Sequence, residues 1–189
     1  MADIISDADR ERKSRALLRT APPISDAEEG ALIAFIELIF FAYRDFVSDA
    51  DAVLEEFGFG RAHHRVLHFV NRRPGLRVAD LLDILKITKQ SLAPVLKQLV
   101  EKGYIVQRAG VHDRRERLLY PTEEGKELFR RLVEPQMERV KRALPESKIG
   151  GSDVVERFLF DMIVPEERVQ VRNLIGCSSA GSIDDEAGA

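Results

Sequence analysis

An apolar segment at residues 31–43, ALIAFIELIFFAY, constrains the fold of this chain more than any other feature. It contains Glu37 and is shorter than the roughly 20 apolar residues that a transmembrane helix needs, so it predicts a buried helix and no membrane contact. Ser25 and Glu28, just upstream, form the capping-box pattern that begins a helix. Apolar residues occupy almost every side of the predicted helix, so almost every side must be covered. One small domain seldom covers a helix so completely, and we therefore expect a homodimer.

The composition is that of a folded, charged protein with one main domain. The chain has 189 residues, of which 44% are hydrophobic and 32% are charged. A single cysteine, Cys177, excludes an internal disulfide and favours a reducing compartment. The N-terminus lacks the apolar run of a secretory signal, so we expect a cytoplasmic protein. Residues 1–24 are predicted to be a flexible arm, and residues 176–189 a disordered tail.

The remaining pattern predicts a mainly α fold with one small hairpin. Helices are expected at 61–71, 78–85, 88–102 and 123–144, and a last helix begins at 153. Short strands are expected at 104–107 and 117–120. Two helices, a tight turn, a third helix and a two-stranded hairpin follow one another in the order of a winged helix-turn-helix, which places its recognition helix in the DNA major groove.

Charge is concentrated around this predicted recognition helix and hairpin. Residues 86–117 contain eight basic and three acidic side chains, a net charge of +5, although the whole chain carries −3. The rest of the chain therefore carries −8. Such a basic region in an acidic protein is typical of a surface that contacts phosphate, although charged residues can also form a plain solvated face.

Two sets of side chains are the candidate DNA contacts. On the recognition helix, Gln90 can read adenine and Lys89 can reach guanine or phosphate, while hydroxyl groups can contact either. On the wing, arginines at the hairpin tip suit a narrow minor groove. Asp113 is predicted to pair with Arg115 and brace the hairpin. The full set of DNA-binding candidates is Thr88, Lys89, Gln90, Ser91, Lys97, Arg114, Arg115 and Arg117.

The segments ITKQSLAPVLKQLVEKGYI and DRRERLLYPTEEG resemble the MarR family of winged-helix transcriptional regulators. The family's Asp-x-Arg motif matches Asp113 and Arg115, and its Thr-x-x-Gly segment matches Thr122 and Gly125. The resemblance implies a homodimer that binds a pseudo-palindromic operator in double-stranded DNA, and whose activity changes with a small ligand or with oxidation. It implies a winged-helix domain over 25–175, in which a DNA-binding core at about 60–122 lies between dimerisation helices at 25–57 and 123–170.

Two prolines depart from the family pattern. Pro94 lies inside the predicted recognition helix, where it removes a hydrogen bond to the Gln90 carbonyl and favours a kink, at a cost of about 3 kcal/mol. Pro121 removes a backbone donor at the end of the second strand. These two residues support an alternative hypothesis, a dimeric protein-interaction or small-molecule-binding module that kept the fold but weakened operator recognition.

Regulatory sites are less specifically marked. By the same resemblance, Tyr43, Arg44, His63 and His64 could line a site for a small aromatic or anionic effector; the alternative is that they cap the helix and brace the domain junction. His64 and His68 lie four residues apart on one helix face, but two ligands are too few for zinc, so no metal is expected. No phosphate-binding loop or Ser/His/Asp arrangement is evident, so neither an enzyme nor a cofactor is expected.

Overall fold

The computed structural model describes residues 25–110, 113, 115–144 and 153–176. The chain divides into two compact units, with the boundary between Gln136 and Met137. The expected flexible arm at 1–24 and the expected tail beyond Gly176 lie outside the described residues.

Helix α1, Asp26–Glu56, begins the first unit with the capping box that the sequence predicted. The Ser25 hydroxyl accepts a hydrogen bond from the Glu28 amide at 3.3 Å, and the Glu28 carboxylate accepts one from the Ser25 amide at 2.9 Å. The buried residues of this helix are Ala50 and Leu54, both close to its C-terminal end. The apolar segment that precedes them is therefore left largely uncovered by the described residues of the first unit.

The rest of the first unit follows the predicted order and adds one strand. The strands form a three-stranded antiparallel sheet in the order β1–β3–β2. The sequence did not predict β1, because a strand of two residues is too short to show an alternation of apolar and polar side chains. The elements are α2 (Arg61–Arg72), β1 (Leu76–Arg77), α3 (Val78–Leu85), α4 (Lys89–Glu101), β2 (Ile105–Ala109), β3 (Arg117–Pro121) and α5 (Glu123–Ala143), and the unit boundary falls within α5.

Pro121 occupies the last position of β3 and is paired with Ile105. The Thr122 amide donates to the Tyr104 carbonyl at 3.1 Å, so the next pair along, Ile105 with Pro121, is a non-hydrogen-bonded pair of the antiparallel ladder. The missing N–H of Pro121 therefore removes no hydrogen bond between β2 and β3.

One apolar core holds these elements together. The inner face of α4, the start of β2 and the middle of β3 all bury leucine or isoleucine side chains in it, so the predicted recognition helix and the hairpin are fixed to the same core. The buried core residues are Ala50, Leu54, Phe59, Val66, Leu67, Val70, Leu76, Leu81, Leu92, Leu96, Leu99, Ile105, Leu119, Leu128 and Leu132.

The second unit contains two short helices where the sequence predicted a single one. Helix α6, Asp153–Asp161, is followed by a 3-10 turn at Pro165–Glu167 and by α7, Arg168–Ile175. Val164, which precedes Pro165, has an extended backbone (φ −56°, ψ 137°). A proline disfavours helical geometry in the residue before it, which explains why the helix does not continue. No helix within the described residues is both long and apolar enough to cross a membrane.

Gly125 provides a test of how closely α5 packs on the segment between α4 and β2. A β-carbon added to Gly125 would lie 2.1 Å from the carbonyl oxygen of Tyr104, a backbone atom that cannot move freely. We expect Gly125→Ala to lower the free energy of unfolding by about 3 kcal/mol, at the upper end of the usual range for overpacking.

Gly30→Ala in α1 is the matched control, since a β-carbon there meets no atom within 4 Å. This change should be neutral or should stabilise the protein by up to about 1 kcal/mol through helix propensity. Urea unfolding of both variants measures the difference. Equal stability of the two variants would contradict the close approach of Gly125 to Tyr104.

Candidate nucleic-acid interface

Helix α4 begins with a side-chain cap. The Thr88 hydroxyl accepts a hydrogen bond from the Ser91 amide at 3.2 Å and lies 3.0 Å from the Ser91 hydroxyl. Because one oxygen satisfies a free backbone donor of the first turn, the helix start is held in place. Lys89 and Gln90 follow the cap, and both side chains are exposed.

The two faces of α4 differ as a recognition helix requires. Leu92, Leu96 and Leu99 are buried, whereas the predicted DNA contacts on this helix are exposed. The helix continues through Pro94, which is itself exposed, so the lost hydrogen bond does not divide it. Burial of a leucine contributes about 1.5–3 kcal/mol, so the inner face offsets the cost of the proline.

An open groove of about 750 Å³ lies between the outer side of α4 and the β2–β3 hairpin. Its lining includes apolar side chains such as Leu96 and Val106, together with Lys89, Lys97 and Arg117. Lys97 pairs with Glu101 at 3.7 Å, and both side chains are largely exposed, so this pair contributes little and can exchange for another anion. Within the described residues, no ion pair or hydrogen bond engages the side chains of Lys89 and Arg117.

The hairpin tip is shaped by a turn at Asp113. The Asp113 carboxylate accepts a hydrogen bond from the Arg115 amide at 2.8 Å, and the Asp113 carbonyl accepts one from the Glu116 amide at 3.1 Å. The sequence predicted that Asp113 would pair with Arg115, and the contact is made to the backbone of Arg115, which leaves its exposed guanidinium unpaired among the described residues. Arg114, the other predicted tip arginine, lies outside the described residues.

Arg77 on β1 also supports the hairpin, although the sequence analysis did not single it out. Its guanidinium donates to Asp80 at 2.6 Å and reaches Glu116, beside the tip, at 3.3 Å. Hydrogen bonds to Asp80 and then to Glu116 raise the pKa of Arg77 above its usual value, and the bond from Arg77 lowers the pKa of Asp80. The contact with Glu116 could not be predicted because it joins residues 39 positions apart in sequence.

Comparison with known proteins agrees with this geometry. Residues 57–116, from the end of α1 to the hairpin tip, match the MarR family. The HTH-type transcriptional regulator PetP of Rhodobacter capsulatus is 44% identical over 128 residues, which cover 66% of this chain and 77% of that protein. This chain belongs to the MarR family. It is therefore a DNA-binding transcriptional regulator and not an enzyme.

Solved structures of similar proteins share the fold. A SlyA-like transcription regulator from Listeria monocytogenes is 21% identical with a TM-score of 0.53, and the match covers 74% of this chain and 89% of that one. The transcriptional regulator SlyA is 21% identical with a TM-score of 0.54, and the match covers 76% of this chain and 99% of that one. At these identities the likeness concerns the winged-helix fold alone.

The four residues predicted to line an effector site in this MarR protein have different surroundings. Tyr43 is 63% exposed on α1. Arg44 pairs with Asp45 at 2.7 Å and lies over the Phe41 ring. Both ring nitrogens of His63 are engaged in hydrogen bonds, with Gly60 and with Gln98. None of the four predicted residues lines the groove beside α4.

His64, the last of them, is half-buried beside His68 on α2. Burial lowers the pKa of both imidazoles because it disfavours their charged form. The charge of His68 lowers the pKa of His64 further, against a smaller opposing effect of Asp51, and the charge of Arg72 lowers that of His68. The buried Nε2 of His64 has no hydrogen-bond partner among the described residues. Among all the residues that the structure describes, no cluster of three or more His, Cys, Asp or Glu side chains is placed to hold a metal ion.

The histidine pair predicts a specific pH dependence of stability. Because both folded-state pKa values lie below the unfolded value of about 6.5, the unfolded chain binds more protons in acid. The contribution of the two neutral imidazoles is therefore fully present above pH 6.5 and is lost as the pH falls below it. We expect the His64→Leu/His68→Leu double variant to lose less stability than wild type between pH 7.5 and pH 5.5.

Urea unfolding at several pH values checks this expectation. Between pH 7.5 and pH 8.5 both proteins should show the same change in stability, which serves as the control. An identical loss for the two proteins between pH 7.5 and pH 5.5 would mean that these histidines are not held neutral by burial.

Proposed function

We propose that this regulator acts as a homodimer that binds a pseudo-palindromic operator through α4 and the wing, and that a small effector modulates this binding. The observation that carries the proposal is the uncovered apolar face of α1. Within the first unit this helix exposes about half or more of each of eight large side chains: Leu32, Ile33, Phe35, Ile36, Leu38, Phe40, Phe41 and Tyr43.

A second copy of the chain is the occupant that best fits this face. Single soluble chains rarely leave so large a continuous apolar surface in water. Each such side chain that becomes covered contributes roughly 1 kcal/mol or more, so eight of them can support a stable dimer. A two-fold dimer also presents two identical α4 helices, which matches an operator with two related half-sites about 34 Å apart.

The proposed DNA contacts are supported by their exposure and their charge. Lys89 and Gln90 extend from the first turn of α4, while Arg115 and Arg117 extend from the wing. Exposed cations without a protein partner can neutralise phosphates, and a glutamine at the start of a recognition helix can read adenine. Thr88 and Ser91 are partly engaged in capping α4, so their proposed contribution is smaller.

Effector binding is proposed near the middle of α1. Tyr43 is exposed there, and Arg44, which lies over the Phe41 ring, forms a surface pair with Asp45 that another carboxylate can displace. The Arg61 guanidinium at the start of α2 is held by Asp51 of α1 at 2.6 Å. His63 already uses both ring nitrogens, so the proposed site retains Tyr43, Arg44 and His64.

Fluorescence anisotropy on duplex DNA tests the proposed function. One duplex comes from the region upstream of this protein's own gene, and the control is a scrambled duplex of equal composition. We expect tight binding to the upstream duplex that survives near-physiological salt, while binding to the scrambled duplex is lost. Weak binding of both duplexes that disappears with salt would contradict operator recognition and would favour an interaction module on the same fold.

Arg115→Ala tests the wing contact. If Arg115 neutralises one phosphate, its loss should weaken binding to every duplex and flatten the plot of log affinity against log salt by about 0.9. Arg130→Ala is the matched control, because Arg130 is an exposed arginine of α5 that pairs with Glu127. An unchanged salt slope in Arg115→Ala would remove this residue from the interface.

Gln90→Ala tests base reading by α4. A bidentate contact to adenine contributes about 1–3 kcal/mol of discrimination, so its loss should relax base preference at one position in each half-site. The salt slope should stay the same because no charge is removed. Affinities for duplexes substituted at each operator position measure the effect, and an unchanged preference at all positions would exclude Gln90 as a reading residue.

A further inference from the structure

The link between α1 and α2 is attached to the C-terminal half of the recognition helix. Lys102, the residue that caps α4, donates a hydrogen bond from its ammonium group to the Phe57 carbonyl at 2.6 Å. The same nitrogen lies 4.6 Å from the centroid of the Phe59 ring, which is within cation–π range. One side chain of α4 therefore holds the linking segment at two points.

His63 makes a second attachment, to Gln98, which lies one helical turn before Lys102. Its Nδ1 accepts a hydrogen bond from the Gly60 amide at 3.1 Å, so in the neutral ring the proton is on Nε2. Nε2 lies 2.6 Å from the Gln98 side-chain oxygen and donates to it. The imidazole also stacks on Phe59, with ring centroids 4.6 Å apart. These three contacts leave the ring one orientation.

The two attachments act on the same side of α4. Gln98 and Lys102 are four residues apart and so lie one above the other on the helix surface. The linking segment is itself fixed, because Phe57 and Phe59 each pack edge-on against Tyr104, with centroids 6.0 Å and 5.4 Å away. We call the set of Phe57, Phe59, His63, Gln98 and Lys102 the α4 tether.

We propose that His63 and Lys102 are positioning residues that set the direction of α4 relative to α1, and hence the half-site spacing that the dimer accepts. This inference rests on the proposed function, in which α1 pairs with a second copy. The two α4 helices of such a dimer are separated by a distance that depends on how each is held against its own α1. The α4 tether connects the segment after α1 to α4 through the hydrogen bonds of Lys102 and His63. Weakening it should allow the distance between the two α4 helices to vary, without changing the side chains that read bases.

The test compares three duplexes. The first is the palindromic operator that wild type binds, the second is the same operator with one base pair inserted between its half-sites, and the third is a single half-site. Wild type should prefer the first duplex over the second. His63→Ala and Gln98→Ala should each lose up to about tenfold in affinity for the palindrome, the upper end of what one ordinary hydrogen bond contributes. Their affinity for the single half-site should stay within about twofold of wild type, and their preference for the original spacing should shrink.

Two further variants separate positioning from other roles. The His63→Ala/Gln98→Ala double variant should lose no more than His63→Ala alone, because His63→Ala already removes the contact with Gln98. Lys102→Arg should retain the original spacing preference, since a guanidinium can still donate to Phe57 and lie over Phe59, whereas Lys102→Met should not. Asp83→Asn, on an exposed residue of α3 outside the tether and the predicted DNA contacts, is the control and should keep the wild-type spacing preference.

The outcomes distinguish this inference from the function on which it rests. If wild type binds the operator and a scrambled duplex equally, the proposed function fails and the positioning role fails with it. If wild type is specific but His63→Ala keeps its full spacing preference, or weakens equally on all three duplexes, the positioning role alone is overturned. If Lys102→Met weakens all duplexes and flattens the salt dependence, Lys102 contacts phosphate and does not position α4.

Discussion

The need to cover helix α1 is the constraint on which the rest of this structure depends. The fully buried residues of this helix are Ala50 and Leu54, near its C-terminal end, whereas the apolar segment before them keeps large side chains such as Ile36 and Phe40 about 65% exposed. The same core buries the inner leucines of α4 and thereby turns its polar face outward. Burial thus produces two surfaces, an apolar one suited to a second copy and a basic one suited to phosphate.

Most of the first unit could be predicted from the sequence because its signals are local. The Ser25–Glu28 capping box, the Gly103 stop after α4 and the inward leucines of α4 all depend on residues within a few positions of each other, and the structure confirms them. Strand β1 was missed because a two-residue strand exists only through its pairing with β3. The break between α6 and α7 was missed although Pro165 marks it, since the apolar pattern continues across the proline.

The candidate site was predictable to a smaller extent. Side-chain chemistry and helix periodicity were sufficient to select Lys89 and Gln90, because exposure on α4 follows directly from which residues are buried. The contacts that orient the site join distant parts of the chain, such as Arg77 with Glu116 and His63 with Gln98. No spacing rule connects such pairs. His63 was accordingly predicted as an effector ligand, whereas the structure engages it in hydrogen bonds to Gly60 and Gln98.

Sedimentation equilibrium of the full chain tests the central claim, that the exposed face of α1 is covered by a second copy. Wild type should sediment at twice the monomer mass at micromolar concentration, and the Ile36→Glu/Phe40→Glu variant as a folded monomer, because two charges would be buried without partners. Val106→Glu, an equivalent change on the hairpin, is the control and should remain dimeric. A monomeric wild type, or a variant that stays dimeric, would contradict the account.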